Sequence, residues 1–444
     1  MADPNAVLER LLALVKSRAP GAEARAQLTL GREANTRFAA GDITTAGDTD
    51  VNNLSLTLAF GKRHATATTT QIDPGALAAL VDRTASMAKL LPEDPEYVPV
   101  LGPQKYEPGP SEFDAGTAAF PAEKRAEAAR GAIAACDKQS VIGAGYYYTT
   151  GLENWLATSA GLSAKHQSTL ASLTMTVRTP DGTGSGWAGA EETSARDIDA
   201  PGLTRAAIDK AVRSRSPKKL APGEYTVVLE PAAVGDLLNF LIQALDARQS
   251  DEGRSFFSKP GGGTKVGEAL FAKRISLVSN PQDPKTPGTP FDGDGIPLKS
   301  LQWVDKGVLR ALRYSRYWAA KQGVAPTGSH SMYELSGGEA PSVQDLVKNV
   351  KRGLLVTRFW YLRWLEPREL SVTGLTRDGV FLIENGAVTQ PANNFRFNES
   401  PAAMLANCRE MTKSTLRVPR GGGVLRVPAL LTDRFHMASV SEAV

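Results

Sequence analysis

"VVLEPAAVGDLLNFLIQALDARQ", residues 227–249, reads as a strand that turns directly into a helix. Pro231 opens the helix, because its missing N–H would have no partner in the first turn. Val234, Leu237, Leu238, Leu241, Ile242 and Leu245 then recur at helical spacing and draw one apolar stripe. A strand feeding such a helix belongs to a mixed fold. What the helix lacks is equally informative, since no histidine, cysteine or glutamate lies between Pro231 and Gln249.

Around this stretch the chain has the composition of a globular protein. Its 444 residues exceed one ordinary domain, and 42% hydrophobic with 22% charged residues leaves ample core. A net charge of +4, from 51 basic and 47 acidic residues, argues against nucleic acid or a membrane surface as partner. Two cysteines cannot staple a chain of this size, so nothing points to an oxidising compartment. The N-terminal "NAVLERLLALVKSRA" is an amphipathic helix capped by Asp3-Pro4, with Glu9 and Arg10 interrupting any signal-peptide core. No apolar run reaches the roughly 20 residues of a membrane span. The expectation is a cytoplasmic protein.

The first half alternates helices with strands. Leu54, Leu56, Leu58 and Phe60 mark a half-buried strand, "GKRHATATTT" returns from it as a hairpin, and Asp73-Pro74 starts the next helix. A further helix, "PAEKRAEAARGAIAACDKQ", precedes strands from "VIGAGYYYTT" to "STLASLTMTVRTP". The polar, proline-bearing "SRSPKKLAPGE" then places a domain boundary between 1–215 and 216–444. The second half is β-rich, with a hairpin turn at Asn385-Gly386 and a late helix from Pro401. The class is α+β, with an N-terminal α/β domain built on an antiparallel sheet.

Few residues announce chemistry. The histidines at 64, 166, 330 and 436 lie far apart, without the short helical spacing by which most zinc sites show themselves. His64 falls in a hairpin turn on this reading, and Cys408 shares a helix face with Met404 and Leu405 as a buried thiol. "GSGWAG", 184–189, has the letters of a dinucleotide fingerprint without the following helix, so it reads as a glycine-rich hairpin turn. "FDGDGIP" lacks the closing glutamate of a calcium loop and reads as a turn. In "RFWYLRWLEPR", 358–368, strand alternation sets Arg358, Trp360, Leu362 and Trp364 against Phe359, Tyr361 and Leu365. One face then belongs to a core and the other to a groove.

Several stretches in order resemble the TldD/PmbA family: "GEYTVVLEPAAVGDLLNFLIQALDARQ", "FDGDGIPLKSLQWVDKGVLRALRYSRYWAAKQG", "PTGSHSMYELSGGEA", "VKRGLLVTRF", "VTGLTRDGVFLIENGAV" and "NNFRFNESP". The resemblance implies a β-rich, barrel-like C-terminal domain. It also implies pairing of a TldD-type with a TldE (PmbA)-type subunit into a zinc metallopeptidase that acts on peptide or unfolded substrates. In the TldD-type subunit the helix after "VVL" carries His-Glu-x-x-x-His, and a C-terminal cysteine adds a ligand. Laid on that motif without gaps, this chain has Asn239 and Ala244 for the histidines and Phe240 for the glutamate, and no cysteine follows Cys408.

The expectation is therefore a non-catalytic TldE/PmbA-like subunit with no catalytic residue and no metal ligand of its own, zinc residing in a TldD-type partner. It would help form a peptide cleft within a homo- or hetero-oligomer, using Arg358, Trp360, Arg377, Arg396 and Asn398. The alternative is a stand-alone peptide- or ligand-binding protein on the same scaffold. A third reading is an enzyme with ligands moved to Asp236, Asp246 or His330.

Overall fold

The structure, a computed structural model, describes residues 3–420 and 423–442. Helix α1 (Pro4–Arg18) begins where Asp3 accepts the Asn5 N–H at 3.1 Å. Strands β1 (Glu23–Ala39), β2 (Asp42–Phe60) and β3 (Arg63–Thr69) follow, then α2 (Pro74–Leu90), capped by Asp73. After α3 (Ala115–Ala118) and α4 (Ala122–Lys138) come β4 (Ile142–Thr158), β5 (Ser163–Arg178) and β6 (Ser185–Glu192), then α5 (Ala200–Arg213). The six strands form one antiparallel sheet in the order β3-β2-β1-β4-β5-β6. One end packs Leu28, Leu54, Leu56 and Leu58 against α1 and α2. The other end packs Phe38, Met175 and Val177 against α4 and α5.

Three local expectations are corrected here. "GSGWAG" is not a hairpin turn, because Ser185 onward is β6, and the turn lies just before it, where Thr179 N–H reaches no further than Gly184 O at 2.9 Å. Its glycines serve helix packing instead: a Cβ on Gly186 would lie 2.2 Å from the Ala207 carbonyl oxygen of α5. His64 sits within β3 rather than in the turn. The late helix ends at Ala406, so the buried Cys408 starts a short strand instead of sharing the helix face.

The second half holds β7 (Gly223–Leu229), β8 (Ser276–Ser279), β9 (Leu301–Asp305), β10 (Val308–Leu309), β11 (Met332–Ser336), β12 (Arg352–Glu366), β13 (Ser371–Glu384), β14 (Ala387–Pro391), β15 (Asn394–Glu399), β16 (Cys408–Met411), β17 (Leu416–Arg417), β18 (Val424–Val427) and β19 (Leu430–Ser441). Strands β12-β7-β19-β15-β13 pair in that order, and β13 pairs back onto β12, so the sheet closes into a barrel. Closure removes open edges from most of these strands. A second sheet runs β10-β9-β8-β11-β18-β17.

Helix α6 (Pro231–Ala244) lies between the two sheets. Its stripe Val234, Leu237, Leu238 and Leu241 is wholly buried in one core cluster that includes Leu277, Trp303, Leu335 and Leu425 of the second sheet and Val356 and Phe359 of the barrel. Burying a Leu or Val side chain of this kind stabilises by about 1.5–3 kcal/mol. The helix is therefore the central wedge of the second half. That role explains an uninterrupted apolar stripe whatever its polar face does.

Candidate functional site

The pairing of β12 with β13 shifts register three times, and the first two shifts shape the outer face around Arg358 and Trp360. The register shifts between Val356 and Arg358, where β13 carries the extra residue at Asp378-Gly379, and again between Trp360 and Arg363, where β12 carries it. Asp378 and Tyr361 take the left-handed backbone these kinks need, at φ 58 and 57. A bulge re-aims the side chains beside it. Arg358 and Trp360 lie between the two, opposite Arg377 and Leu375.

Phe359 points inward and is buried, while Trp360 is 43% exposed. Beyond the second bulge the phase changes, so Leu362 and Trp364 pack against the core. The simple alternation that put Leu362 and Trp364 on Trp360's face is therefore corrected. One extra residue reverses every side chain after it.

Arg358, Trp360 and Arg377 line one cleft of about 430 Å³, together with Asp378 of β13 and Ile142, Ala144, Thr176, Arg178 and Thr179 from the ends of β4 and β5. The cleft thus lies where the N-terminal sheet meets the outside of the barrel. The Arg358 guanidinium stands 4.4 Å from the Trp187 ring and 5.1 Å from the Trp360 ring, and Arg377 stands 5.2 Å from Trp360. Stacked cations of this sort are held by the ring quadrupole. Asp378, 1% exposed, pairs with Arg358 at 3.3 Å and also accepts the Ser185 hydroxyl. Its charge is spent on orienting Arg358.

Arg396 and Asn398 extend the same surface. Leu375 pairs with Arg396, and Thr373 pairs with both Arg363 and Asn398, so rows of outward residues cross β12, β13 and β15. Arg396 and Asn398 are exposed, alternating with the buried Phe395 and Phe397. All five residues named from sequence therefore share one outer face, three of them around the cleft. Trp187, Ser185 and Arg178 were missed. Their signal was present in "GSGWAG", where an aromatic beside glycines was read as turn, and in an arginine closing an ordinary strand.

On the inner side of β12, Asp236 of α6 accepts the Phe359 N–H at 3.1 Å. Desolvation by the surrounding core pushes its carboxyl up to about 7, against the opposing pull of that N–H and of Arg358. One turn along α6, the Asn239 Oδ1 is buried with no hydrogen-bond partner. Phe240 packs edge-on against Trp364, ring centroids 4.9 Å apart, and Ala244 is buried. An amide, a benzene ring and a methyl group offer zinc no suitable donor set. Among the described residues no three His, Cys, Asp or Glu side chains are grouped so as to hold a metal ion. His330 gives its Nε2 to the Lys299 carbonyl at 2.9 Å, and Asp246 pairs with Arg313 at 3.4 Å. No helix among the described residues is long and apolar enough to cross a membrane.

Comparison with known proteins agrees with this architecture. The family model for the PmbA/TldA metallopeptidase central domain matches residues 116–215, and that for the PmbA/TldA metallopeptidase C-terminal domain matches 222–439. The fold is similar to that of TldE from Thermococcus kodakarensis, with a TM-score of 0.86 at 19% identity over 98% of this chain and 100% of that one. It is similar also to a protein from Thermotoga maritima described as a candidate modulator of a DNA gyrase, with a TM-score of 0.83 at 19% identity over 98% and 100%. A protein of like description from Bacteroides thetaiotaomicron gives a TM-score of 0.83 at 21% identity over 98% and 99%. No curated protein matches the chain in sequence. At these identities the solved structures speak for the fold alone, while the two family models together span most of the chain: it belongs to the PmbA/TldA metallopeptidase family.

Proposed function

We propose that this chain is a non-catalytic, TldE/PmbA-like subunit that pairs with a TldD-type zinc metallopeptidase and helps form its peptide-binding cleft. The observation that carries the reading is α6. It carries Asn239, Phe240 and Ala244 where the family's metal motif would need two imidazoles and a carboxylate, and Phe240 is occupied in packing on Trp364. The helix keeps its place as the wedge between two sheets and holds no cofactor in this chain.

The cleft at Trp360 is where peptide would be held, by Arg358, Trp360 and Arg377, with Arg396 and Asn398 further along the same face. Strand addition suits the neighbouring backbone. β7 pairs with β12 only over Leu354–Val356, so β12 from Trp360 onward has a strand partner on one side only, β13. The division at residues 215/216 and a cytoplasmic setting belong to the same proposal.

The second reading is a stand-alone peptide- or ligand-binding protein on the same scaffold, with the cleft at Trp360 as its binding site. The test is to purify the chain alone and with a TldD-type relative that retains His-Glu-x-x-x-His, then measure zinc by elemental analysis and cleavage of an unfolded peptide. The expected result is no stoichiometric zinc in the chain alone and chelator-sensitive cleavage only by the pair. About one tightly held zinc per isolated chain would sink the subunit reading. A chain that ignores the partner yet binds peptide establishes the second.

A further inference from the structure

We infer that the cleft between the N-terminal sheet and the barrel is a carboxylate subsite, which holds an anionic end of the peptide beside an apolar side chain. The inference rests on the peptide-binding reading above and names the chemistry that it leaves open.

Charge carries the argument. The cleft is lined by three arginines, Arg178, Arg358 and Arg377, and by a single carboxylate, Asp378. Asp378 is turned away from an incoming ligand: it is 1% exposed, and its two oxygens are engaged by Arg358 and by Ser185. It fixes Arg358 without presenting its charge to a ligand. Arg178 is exposed and has no carboxylate partner among the described residues. With Arg358 balanced by Asp378, Arg178 leaves positive charge inside a concave wall, where a ligand carboxylate is held by charge-assisted hydrogen bonds.

The remaining wall is apolar. Ile142 is 52% exposed and Trp360 is 43% exposed, and both face the cleft with Ala144. Arg358 and Arg377 face each other across β12 and β13 and both contact the Trp360 ring one step along, which fixes the ring while 43% of the residue stays exposed. Its volume of about 430 Å³ falls within the range of sites for small ligands, roughly 300–1,000 Å³, rather than that of a long groove. A carboxylate with one neighbouring apolar side chain fits this combination, and a polyanion does not need the apolar wall. The carboxylate can come from the C-terminus of the peptide or from an acidic side chain within it.

The test uses the full chain and four forms of one hexapeptide ending in leucine: free acid, C-terminal amide, amide with an internal glutamate, and amide with an internal glutamine. Binding is read by Trp fluorescence at low and high salt. The expected result is at least tenfold tighter binding of a carboxylate-bearing form than of its neutral counterpart, weakening with salt. Preference for the free acid assigns the C-terminus, and preference for the glutamate form assigns a side chain. Arg178→Gln and Arg377→Gln should each remove most of the preference while keeping the parent's melting temperature; if either variant unfolds, the salt dependence of the parent decides. Equal binding of all four forms overturns the inference. That outcome leaves the subunit proposal standing if the chain still pairs with its TldD-type partner, and failed pairing with intact carboxylate preference overturns only the subunit proposal.

Discussion

At Asp236 the chain keeps a carboxyl in surroundings that oppose its charge. Burial raises its pKa from 3.8 to about 7, and the Phe359 N–H and Arg358 pull it back only in part. The folded form therefore holds its proton over a pH range in which the unfolded chain has lost it. Stability falls with pH wherever the folded state binds more protons, so the loss begins near pH 4 and is complete just above pH 7. Each unit of displacement is worth about 1.4 kcal/mol, which makes this one residue a contributor of a few kcal/mol. Glu192 and Glu399, also raised by burial, act in the same direction. Asp236→Asn keeps an oxygen to accept the Phe359 N–H and removes the titration. Urea unfolding at pH 5, 6, 7 and 8 should show a steeper decline for the parent than for the variant, with the variant about 1–3 kcal/mol more stable at pH 8 than the parent. Parallel profiles would show that Asp236 titrates normally.

Among the elements, β6 shows most directly how packing decides the residue. Helix α5 approaches so closely that a Cβ at Gly186 would meet the Ala207 oxygen at 2.2 Å and the Ala211 nitrogen at 2.5 Å, both of them backbone. Replacing strand glycine by alanine ordinarily gains stability by restricting the unfolded chain, worth about 0.4–1 kcal/mol. Overpacking against rigid backbone costs about 1–3 kcal/mol, so the clash wins. Gly186→Ala should lower stability by about 1–2 kcal/mol in a denaturant melt. It should also disturb Trp187 and hence the stack on Arg358. An unchanged melting curve would mean that the α5–β6 contact is looser than described. These same elements show what sequence can and cannot give. The strand–helix unit at 227–249, the caps at Asp3 and Asp73 and the hairpin turn at Asn385-Gly386 are local patterns, and each was legible. The strand in "GSGWAG" was not, because its glycines answer to a helix about 20 residues away in sequence. The face of Trp364 was missed for a related reason: a bulge inserts one residue, and period-two counting has no means of detecting it. Of the site, the arginines and Trp360 were legible as a mixed charged and aromatic strand. Arg178 and Trp187 join them only through the meeting of two sheets.

In the molecule as a whole, the barrel, the second sheet and α6 form one large core, and the N-terminal sheet adds its own cores beside it. One run of β12 stays outside all of them. Tyr361 is 60% exposed and Leu365 50%, close in sequence to Trp360. Tyr361 also holds a left-handed backbone that bulky residues seldom adopt, so the chain sustains strain to place a large ring in solvent. Exposed apolar side chains gathered on one strand commonly mark a surface that a partner covers. The side chains of Tyr361 and Leu365 would serve pairing with the TldD-type chain, and the open backbone edge of β12 with Trp360, set in the cleft, would serve the peptide. The two functions should then separate by mutation. Truncating an interface hot spot typically costs about 2 kcal/mol or more, equivalent to well over tenfold in affinity. Tyr361→Ser combined with Leu365→Ser should weaken pairing at least tenfold in light scattering and pull-down, with peptide binding to the single chain unchanged. Trp360→Ala should do the reverse, lowering peptide affinity and leaving pairing intact. If the double variant pairs as the parent does, the partner sits elsewhere, and the exposed ring at Tyr361 belongs to the peptide path instead.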